Sequence, residues 1–394
     1  MNGSQRLGAV WRAIFPFAAL AVPLALIVLA ASWASPVLQR EATTMLINVV
    51  LVVGFFFFAG NTGILSFGHM SFMAIGAYAG ALLTIPALQK GFLLPDLPSW
   101  LGSAELGSLP AALLASTAAA VFALLVAIPL MRLPGLAISL AMFAVLVIVH
   151  DVTSNWTAVT RGRQSMIGVP TNTTMTVALV GALVTIAAAY AFKETKTGLR
   201  VRASREDEVA ARSIGVNLAR DRGIAFVLSA FFIGLGGFLY AQFLGVFNPD
   251  AFYLNITFIV IAMLVVGGTK SVAGAVVGPV AVSVLTYGLR QVEKGVDLGV
   301  IKVPGRPGLQ EVGLALAMLL ILLFRPRGIT GGREFTWPLR RTRRPAPRRR
   351  PGPPGTAPRP PPSDHQPPVA GRMTVRLPGG RHPPDPLAQL PRLA

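Results

Sequence analysis

The chain alternates long apolar segments with short polar ones, and this pattern predicts an all-α bundle of membrane-spanning helices. The apolar runs approach the ~20 residues that a helix needs to cross a bilayer. Ten segments are candidates: 13–34, 42–59, 63–85, 111–131, 135–152, 173–192, 223–244, 254–268, 272–289 and 308–324. Segment 254–268 is short for a span, so one or two segments are re-entrant in an alternative reading. The pattern therefore predicts a polytopic bundle with about 8–10 spans.

Loop charge orients this predicted bundle. With ten spans and residues 1–12 in the cytoplasm, the basic loop 193–222 and the C-terminus also fall on the cytoplasmic side, as the positive-inside rule requires. A few basic residues fall outside against that rule: Arg161, Arg163, Arg290, Lys294, Lys302 and Arg306. The first apolar run is too long for the core of a cleaved signal peptide, so we interpret it as a retained span.

Composition supports a membrane domain over 13–330 and sets the last residues apart from it. Hydrophobic residues make up 53% of the chain, charged residues only 13%, and cysteine is absent, which excludes disulfides and thiolate metal sites. Residues 331–394 are rich in proline and arginine, and we expect a disordered cytoplasmic tail there. This tail is either a solvated extension or a segment that binds anionic membrane lipid. It lacks the aromatic platform of a nucleic-acid site.

Residues 193–222 form a charged island between two predicted spans. Ser204 and Asp207 have the spacing of a capping box, which predicts a short helix over about 205–214. Glu208 and Arg212 are placed to form an i,i+4 ion pair, and Gly215 follows as a C-terminal stop. A helix of ten residues is marginal alone in water, so it needs something to pack against.

Two interpretations of this island remain open from its residues alone. It is either a docking helix that inserts into a groove of a cytosolic partner or a solvated connector that packs on its own membrane domain. Its apolar edge would consist of Val209, Ala210 and Ile214. The candidate docking residues are Ser204, Arg205, Glu206, Asp207, Glu208, Val209, Ala210, Ala211, Arg212, Ile214 and Gly215.

Few polar residues interrupt the apolar segments. Asn61, Ser66 and His69 are predicted either to line a translocation path or to make hydrogen bonds between helices. Glycines in these segments are predicted to allow close helix packing: Gly76, Gly80, Gly234, Gly236, Gly237, Gly274 and Gly278.

The chain lacks the motifs of an enzyme. The stretch from Gly268 to Ser271 resembles a phosphate-binding loop, but the order of its residues and the missing glycine spacer argue against nucleotide binding. No metal-binding or paired-carboxylate motif appears, so we predict neither catalysis nor a metal site. A channel or an ion-coupled transporter is also disfavoured, because the spans carry no buried carboxylate that would couple cations.

Several stretches, in order along 40–330, resemble the permeases of branched-chain amino acid ABC transporters, most closely the LivM type. They include residues 61–69, 132–136, 155–160, 197–217, 225–241 and 325–328. Residues 267–271 and 160–162 depart from the family's usual Gly-Gly-x-Gly-Ser and Thr-Gly-Gly patterns.

This resemblance implies the function and the partners of the chain. It implies an inner-membrane permease subunit of a bacterium, working by alternating access with cytosolic ATPase subunits, a companion LivH-like permease and an extracytoplasmic binding protein. The island would be the helix that couples to the ATPase, and ATP and Mg would bind only in partner subunits. Urea, short amides or aromatic acids remain alternative substrates on the same scaffold. Truncation after Thr330 is expected to leave transport nearly intact.

Overall fold

A computed structural model describes residues 3–293, 296–297, 302–303, 308–325 and 327–334, which belong to one compact unit, Met1–Leu339. The helices are α1 (Gly3–Ser32), α2 (Pro36–Thr62), α3 (Met70–Thr84), α4 (Ala87–Leu93), α5 (Ser99–Gly102), α6 (Ser108–Leu130), α7 (Gly135–Asn155), α8 (Thr157–Thr160), α9 (Met175–Glu194), α10 (Lys196–Glu206), α11 (Glu208–Ser213), α12 (Leu218–Leu244), α13 (Leu254–Gly267), α14 (Val272–Glu293) and α15 (Leu309–Phe324). A single 3₁₀ turn (Pro249–Phe252) precedes α13, and a two-stranded antiparallel hairpin, β1 (Val296–Asp297) and β2 (Lys302–Val303), follows α14.

The fold is an all-α bundle, as predicted. Among the described residues, eight helices are long and apolar enough to cross a membrane, and the bent pair α3–α4 makes a ninth if it counts as one span. The start of the third span was predicted wrongly, because this helix begins at Met70 and not at residue 63. The reason is that Gly63 ends α2 in the left-handed region, with φ of 76°, and residues 63–69 then form a non-helical link. Of the tail predicted over 331–394, residues 335–394 lie outside the described residues.

The centre of the bundle is built around α2 and α12. Every residue of α2 from Val49 to Thr62 is buried, as expected for a helix that is apolar on all sides. Helix α12 packs most extensively against α2, α3 and α6. The phenyl rings of Phe57 and Phe232 stack across the α2–α12 contact, with ring centroids 4.9 Å apart.

Glycines permit the close approach of these helices. A Cβ added at Gly237 of α12 would overlap the carbonyl oxygen of Met73 in α3, and one added at Gly76 would overlap the carbonyl oxygen of Gly234. The other glycines of the predicted set also meet neighbours closer than an ordinary Cβ contact: Gly80, Gly234, Gly236, Gly274 and Gly278. Backbones in van der Waals contact supply much of the packing energy when helices associate inside a membrane.

Contacts sort the connecting segments into two ends of the bundle. At one end, Arg205 reaches Gly60 and Thr269, while Lys193 pairs with Glu334. At the other end lie four further pairs: Arg290 with Glu41, Asn172 with Ser108, Met166 with Phe247, and His150 with Asp250. These pairs agree with successive spans that alternate in direction.

Basic residues are concentrated at the end that carries α10 and α11. We call this end the basic end, and its Lys and Arg side chains are those at positions 132, 193, 196, 200, 202, 205, 212, 220, 222, 270, 325, 327 and 333. The described part of the opposite end carries fewer: Arg40, Lys90, Arg161, Arg163 and Arg290. A membrane protein with this asymmetry is favoured to keep its basic end in the cytosol.

Candidate functional site

The charged island folds as two helices at the basic end. Helix α10 begins at Thr195, whose hydroxyl oxygen accepts the Gly198 N–H at 3.0 Å. It ends at Glu206, and Asp207 is a single non-helical residue between α10 and α11. The carboxylate of Asp207 accepts the N–H groups of Val209 and Ala210, each at 2.9 Å, and so caps α11.

The prediction of one helix over 205–214 capped by Ser204 was therefore wrong. Ser204 lies in the last turn of α10, where its hydroxyl donates back to the carbonyl of Val201 at 2.7 Å. An N-cap residue needs an extended backbone, which Asp207 has, with φ of −152° and ψ of 112°. Asp207 was placed third inside the helix by the capping-box pattern, but it is itself the cap.

The stop at Gly215 has the geometry of a Schellman motif. Gly215 adopts φ of 84°, the Val216 N–H donates to the Ala211 carbonyl at 3.1 Å, and the Gly215 N–H donates to the Arg212 carbonyl at 3.0 Å. These bonds satisfy carbonyls that the end of a helix otherwise leaves free. Helix α11 is therefore closed by hydrogen bonds at both ends.

Glu208 fastens α11 to the start of α12. Its carboxylate lies 2.8 Å from the Arg212 guanidinium, the predicted i,i+4 pair, and 3.0 Å from that of Arg222, which is almost fully buried. The hydrogen bond from Arg222 is the main cause that lowers the pKa of Glu208 below its ordinary value. Glu208 therefore stays ionised and joins two helices.

Arg205 fastens the same segment to the membrane domain. Its guanidinium donates to the carbonyl of Gly60 at the end of α2 and to the carbonyl of Thr269 at 3.2 Å, between α13 and α14. Lys270 and Glu206 form a second, exposed contact alongside it at 3.5 Å. Although the sequence grouped Arg205 with the docking residues, its side chain points inward.

One face of the segment carries uncovered apolar side chains. Val209 is 78% exposed and Ile214 is 76% exposed, and both lie beside exposed Ala210. Leu199 on α10 is also more than half exposed. Exposure of these apolar side chains to water is unfavourable, so this face is suited to binding a protein partner.

Glu334 was missed by the sequence reasoning, which placed it in the tail. Its carboxylate accepts the Lys193 ammonium at 2.6 Å, the Tyr190 hydroxyl at 3.1 Å, and the N–H groups of Val272 and Ala273 at 2.9 and 3.2 Å. It thereby joins the end of α9 to the start of α14. The folded part of the chain extends at least this far, although the predicted tail began at residue 331.

The three candidate path residues are enclosed by this subunit's own helices. Asn61, Ser66 and His69 are each no more than 2% exposed. The Asn61 amide donates to the carbonyl of Phe57 at 3.0 Å, within its own helix. Neither ring nitrogen of His69 has a hydrogen-bond partner, and its ring lies among four phenyl rings: Phe55, Phe58, Phe72 and Phe226. None of the three makes a polar contact between helices.

No group of three or more His, Asp or Glu residues that could hold a metal ion occurs in the described part of the chain. Its ion pairs join one element to another or, like Glu208 with Arg212, close a single helix turn.

Comparison with known proteins agrees with this architecture. The permease protein LivM of the high-affinity branched-chain amino acid transport system of Salmonella typhimurium is 25% identical over 343 residues, covering 78% of this chain and 73% of that protein. Its Escherichia coli counterpart gives the same identity and coverage. No solved structure matches the chain significantly. The profile of the family described as "Branched-chain amino acid transport system / permease component" matches residues 38–324. Because that match covers well over half of the chain, the protein is a multi-pass membrane protein that belongs to this permease family.

Proposed function

We propose that the chain is a permease subunit of an ATP-driven importer that moves branched-chain or similar apolar amino acids by alternating access. Family membership supports the permease role, and the similarity to two LivM proteins of branched-chain amino acid transport supports the substrate class. The sequence has no nucleotide-binding motif, so the energy would come from ATPase subunits that bind ATP and Mg.

The exposed face of α10 and α11 is the observation that carries this proposal. A short helix with two apolar side chains, Val209 and Ile214, would insert into a groove of an ATPase subunit. Capping at Asp207 and Gly215 keeps that helix preformed, so little ordering entropy is lost on docking.

Force would pass from the ATPase to the bundle through Arg205 and Glu208. Arg205 contacts the end of α2 and the α13–α14 connection, and Glu208 contacts the start of α12. Movement of α11 would therefore displace the ends of the central helices. An ATPase that binds one orientation of this segment more tightly would shift the bundle towards the corresponding state.

The remaining partners follow from the same proposal. The basic end would face the cytosol of a bacterial cell and hold both termini, and the opposite end would receive ligand from an extracytoplasmic binding protein. A companion permease of the same family, LivH-like, would complete the membrane pathway.

A paired substitution tests the docking face. We would coexpress the chain with its ATPase and companion permease and change Val209→Asp together with Ile214→Asp. Both side chains are exposed, so the unfolding midpoint should stay unchanged while copurification of the ATPase and uptake of radiolabelled leucine are lost.

The matched control is Trp100→Asp, an exposed apolar residue at the opposite end. It should leave ATPase binding intact. If the paired variant retained the ATPase and transported leucine at the normal rate, the docking proposal would be wrong. If urea rather than leucine were taken up, only the substrate class would need revision.

A further inference from the structure

A two-part cavity lies between α6 and α12 at the basic end. Its apolar part is an open groove of about 680 Å³, whose walls include Leu124, Ile128, Ile224 and Phe231. Its polar part is a neighbouring pocket of about 270 Å³. The two parts share Met131, Arg132 and Ala219 in their walls, so they form one continuous amphipathic cavity.

The polar part of the cavity is basic. Arg132, Arg212 and Arg222 line it, and Arg220 lies at the mouth of the adjoining groove. The acidic group that contacts these arginines is Glu208, which pairs with Arg212 and Arg222. Arg132 and Arg220 form no ion pair within the described residues. The pocket therefore keeps an excess of positive charge.

A buried donor in this pocket lacks a partner. Arg222 is 4% exposed and uses its two terminal nitrogens on Glu208, but its Nε is buried with no hydrogen bond. Buried guanidinium donors are normally satisfied, so the positive charge of Arg222 is incompletely compensated by this chain and favours an anion in the adjoining pocket.

The apolar groove has the depth of one membrane leaflet. It follows α6 from Ala120 to the end of the helix at Leu130, which is ten residues or about 15 Å of helix, and Met131 and Arg132 lie in the turn just beyond. Half of a typical hydrocarbon core is about 15 Å. An acyl chain that starts at the headgroup level beside Arg132 would thus end near the middle of the bilayer.

We propose that this cavity binds an anionic phospholipid, with the phosphate at Arg132 and Arg222 and an acyl chain along the α6–α12 groove. Charge complementarity and the match in depth select a lipid over a protein segment. Because Arg212 of α11 lines the same pocket as Arg222 of α12, a headgroup bound there would join α11 to the bundle. The inference depends on the chain spanning a membrane and not on the identity of the ATPase or the substrate.

Lipid binding by the purified full-length chain tests the proposal. In neutral detergent, phosphatidylglycerol should raise the unfolding midpoint more than phosphatidylcholine with the same acyl chains, and native mass spectrometry should retain one phosphatidylglycerol per chain. Arg132→Ala should weaken phosphatidylglycerol binding about fivefold, the usual effect of one basic residue near a membrane surface.

Two further variants separate the headgroup from the acyl chain. Gly223→Leu adds bulk to the groove without changing its charge. The added Cβ has room, because its nearest neighbour would be Met131 Cγ at 3.8 Å. This variant should reduce binding of both lipids. Arg163→Ala, which removes an exposed charge at the opposite end, should change neither. Both variants and Arg132→Ala should keep the wild-type midpoint in lipid-free detergent.

Three outcomes would overturn the proposal. Equal stabilisation by the two lipids would show that the basic pocket does not recognise phosphate. Unchanged phosphatidylglycerol binding in Arg132→Ala and Gly223→Leu would place the lipid elsewhere. Release of the lipid when the companion permease assembles would assign the groove to the interface between subunits.

Discussion

The centre of the bundle and the docking segment are held together by opposite means. Between α2, α3 and α12, backbones touch at glycines and phenyl rings stack, and no ion pair joins these three helices within the described residues. The docking segment, α10 and α11, is instead joined to the bundle by Arg205 and Glu208 and leaves Val209 and Ile214 uncovered. Helices in backbone contact cannot shift past one another without overlap. The hydrogen bonds of Arg205 and Glu208 would instead carry a movement of α10 and α11 to the helices that they contact. On the proposed mechanism, the centre would stay rigid and the segment of α10 and α11 would move.

The largest expected effect is on the central packing. Gly237→Leu would drive a side chain into the backbone of Met73, so we expect loss of more than about 3 kcal/mol and little folded protein. Size-exclusion chromatography in detergent and the thermal unfolding midpoint would measure this. Gly223→Ala on the same helix is the control, because its added Cβ has room and should be neutral or stabilise by up to about 1 kcal/mol. Equal unfolding midpoints for the two variants would show that the packing at Gly237 is no tighter than at Gly223.

Arg205→Ala should separate binding of the ATPase from transport. It removes hydrogen bonds from a charged group to Gly60 and Thr269, each typically worth about 1.5–3 kcal/mol, but leaves the outer face of α11 unchanged. We expect the ATPase to copurify while leucine uptake falls at least tenfold. Arg200→Ala, an exposed neighbour on α10, should transport normally. Normal uptake by the Arg205 variant would show that force takes another route.

Two truncations should locate the true end of the folded domain. Ending the chain after Thr330 removes Glu334 and leaves Lys193 and two N–H groups of α14 unpaired, so we expect a loss of about 2 kcal/mol. Ending it after Glu334 should change stability little. This expected loss of stability argues against the sequence-based expectation that truncation after Thr330 leaves transport nearly intact. Unfolding midpoints of the two truncated chains would decide, and equal values would restore that expectation.

The smallest effect should be a pH dependence at Glu208. Its folded-state pKa is lowered by Arg222, so its stabilising contribution is present above the ordinary glutamate pKa of about 4.3 and disappears as pH falls through the folded value. We would compare unfolding midpoints of wild type and Glu208→Gln from pH 7 down to pH 3. The wild type should lose its advantage below about pH 4. A difference that stayed constant with pH would mean that packing, not charge, fastens α11.

The spans were predictable because hydropathy is a property of each segment alone. All ten predicted segments overlap helices of the structure, and the exception in detail, Met70, depends on a left-handed turn at Gly63. The sequence alone does not distinguish a glycine with a left-handed backbone from a glycine inside a packed helix. The order of spans also fixed which links share an end of the bundle.

The details of the docking segment were less predictable, because they depend on tertiary contacts. Ser204 and Asp207 both have cap-forming side chains, and the choice between them depends on where α10 ends, which Arg205 fixes by contacting Gly60. Glu334 gave no local signal, since its partners lie 61–144 residues away in sequence. The spacing of Gly76 with Gly80 and of Gly274 with Gly278 predicted close packing, but the backbones that these glycines contact could be identified only from the fold.

The position of Glu334 has a consequence for biosynthesis. Its carboxylate accepts the N–H of Val272 from 62 residues further along the chain, so the first turn of α14 is synthesised before the residue that caps it. At ~5–20 residues per second, that interval lasts about 3–12 s. During this interval, the first turn of α14 and the ammonium of Lys193 both lack their partner, Glu334. The junction of α9 and α14 thus closes last, when translation of the membrane domain is already complete.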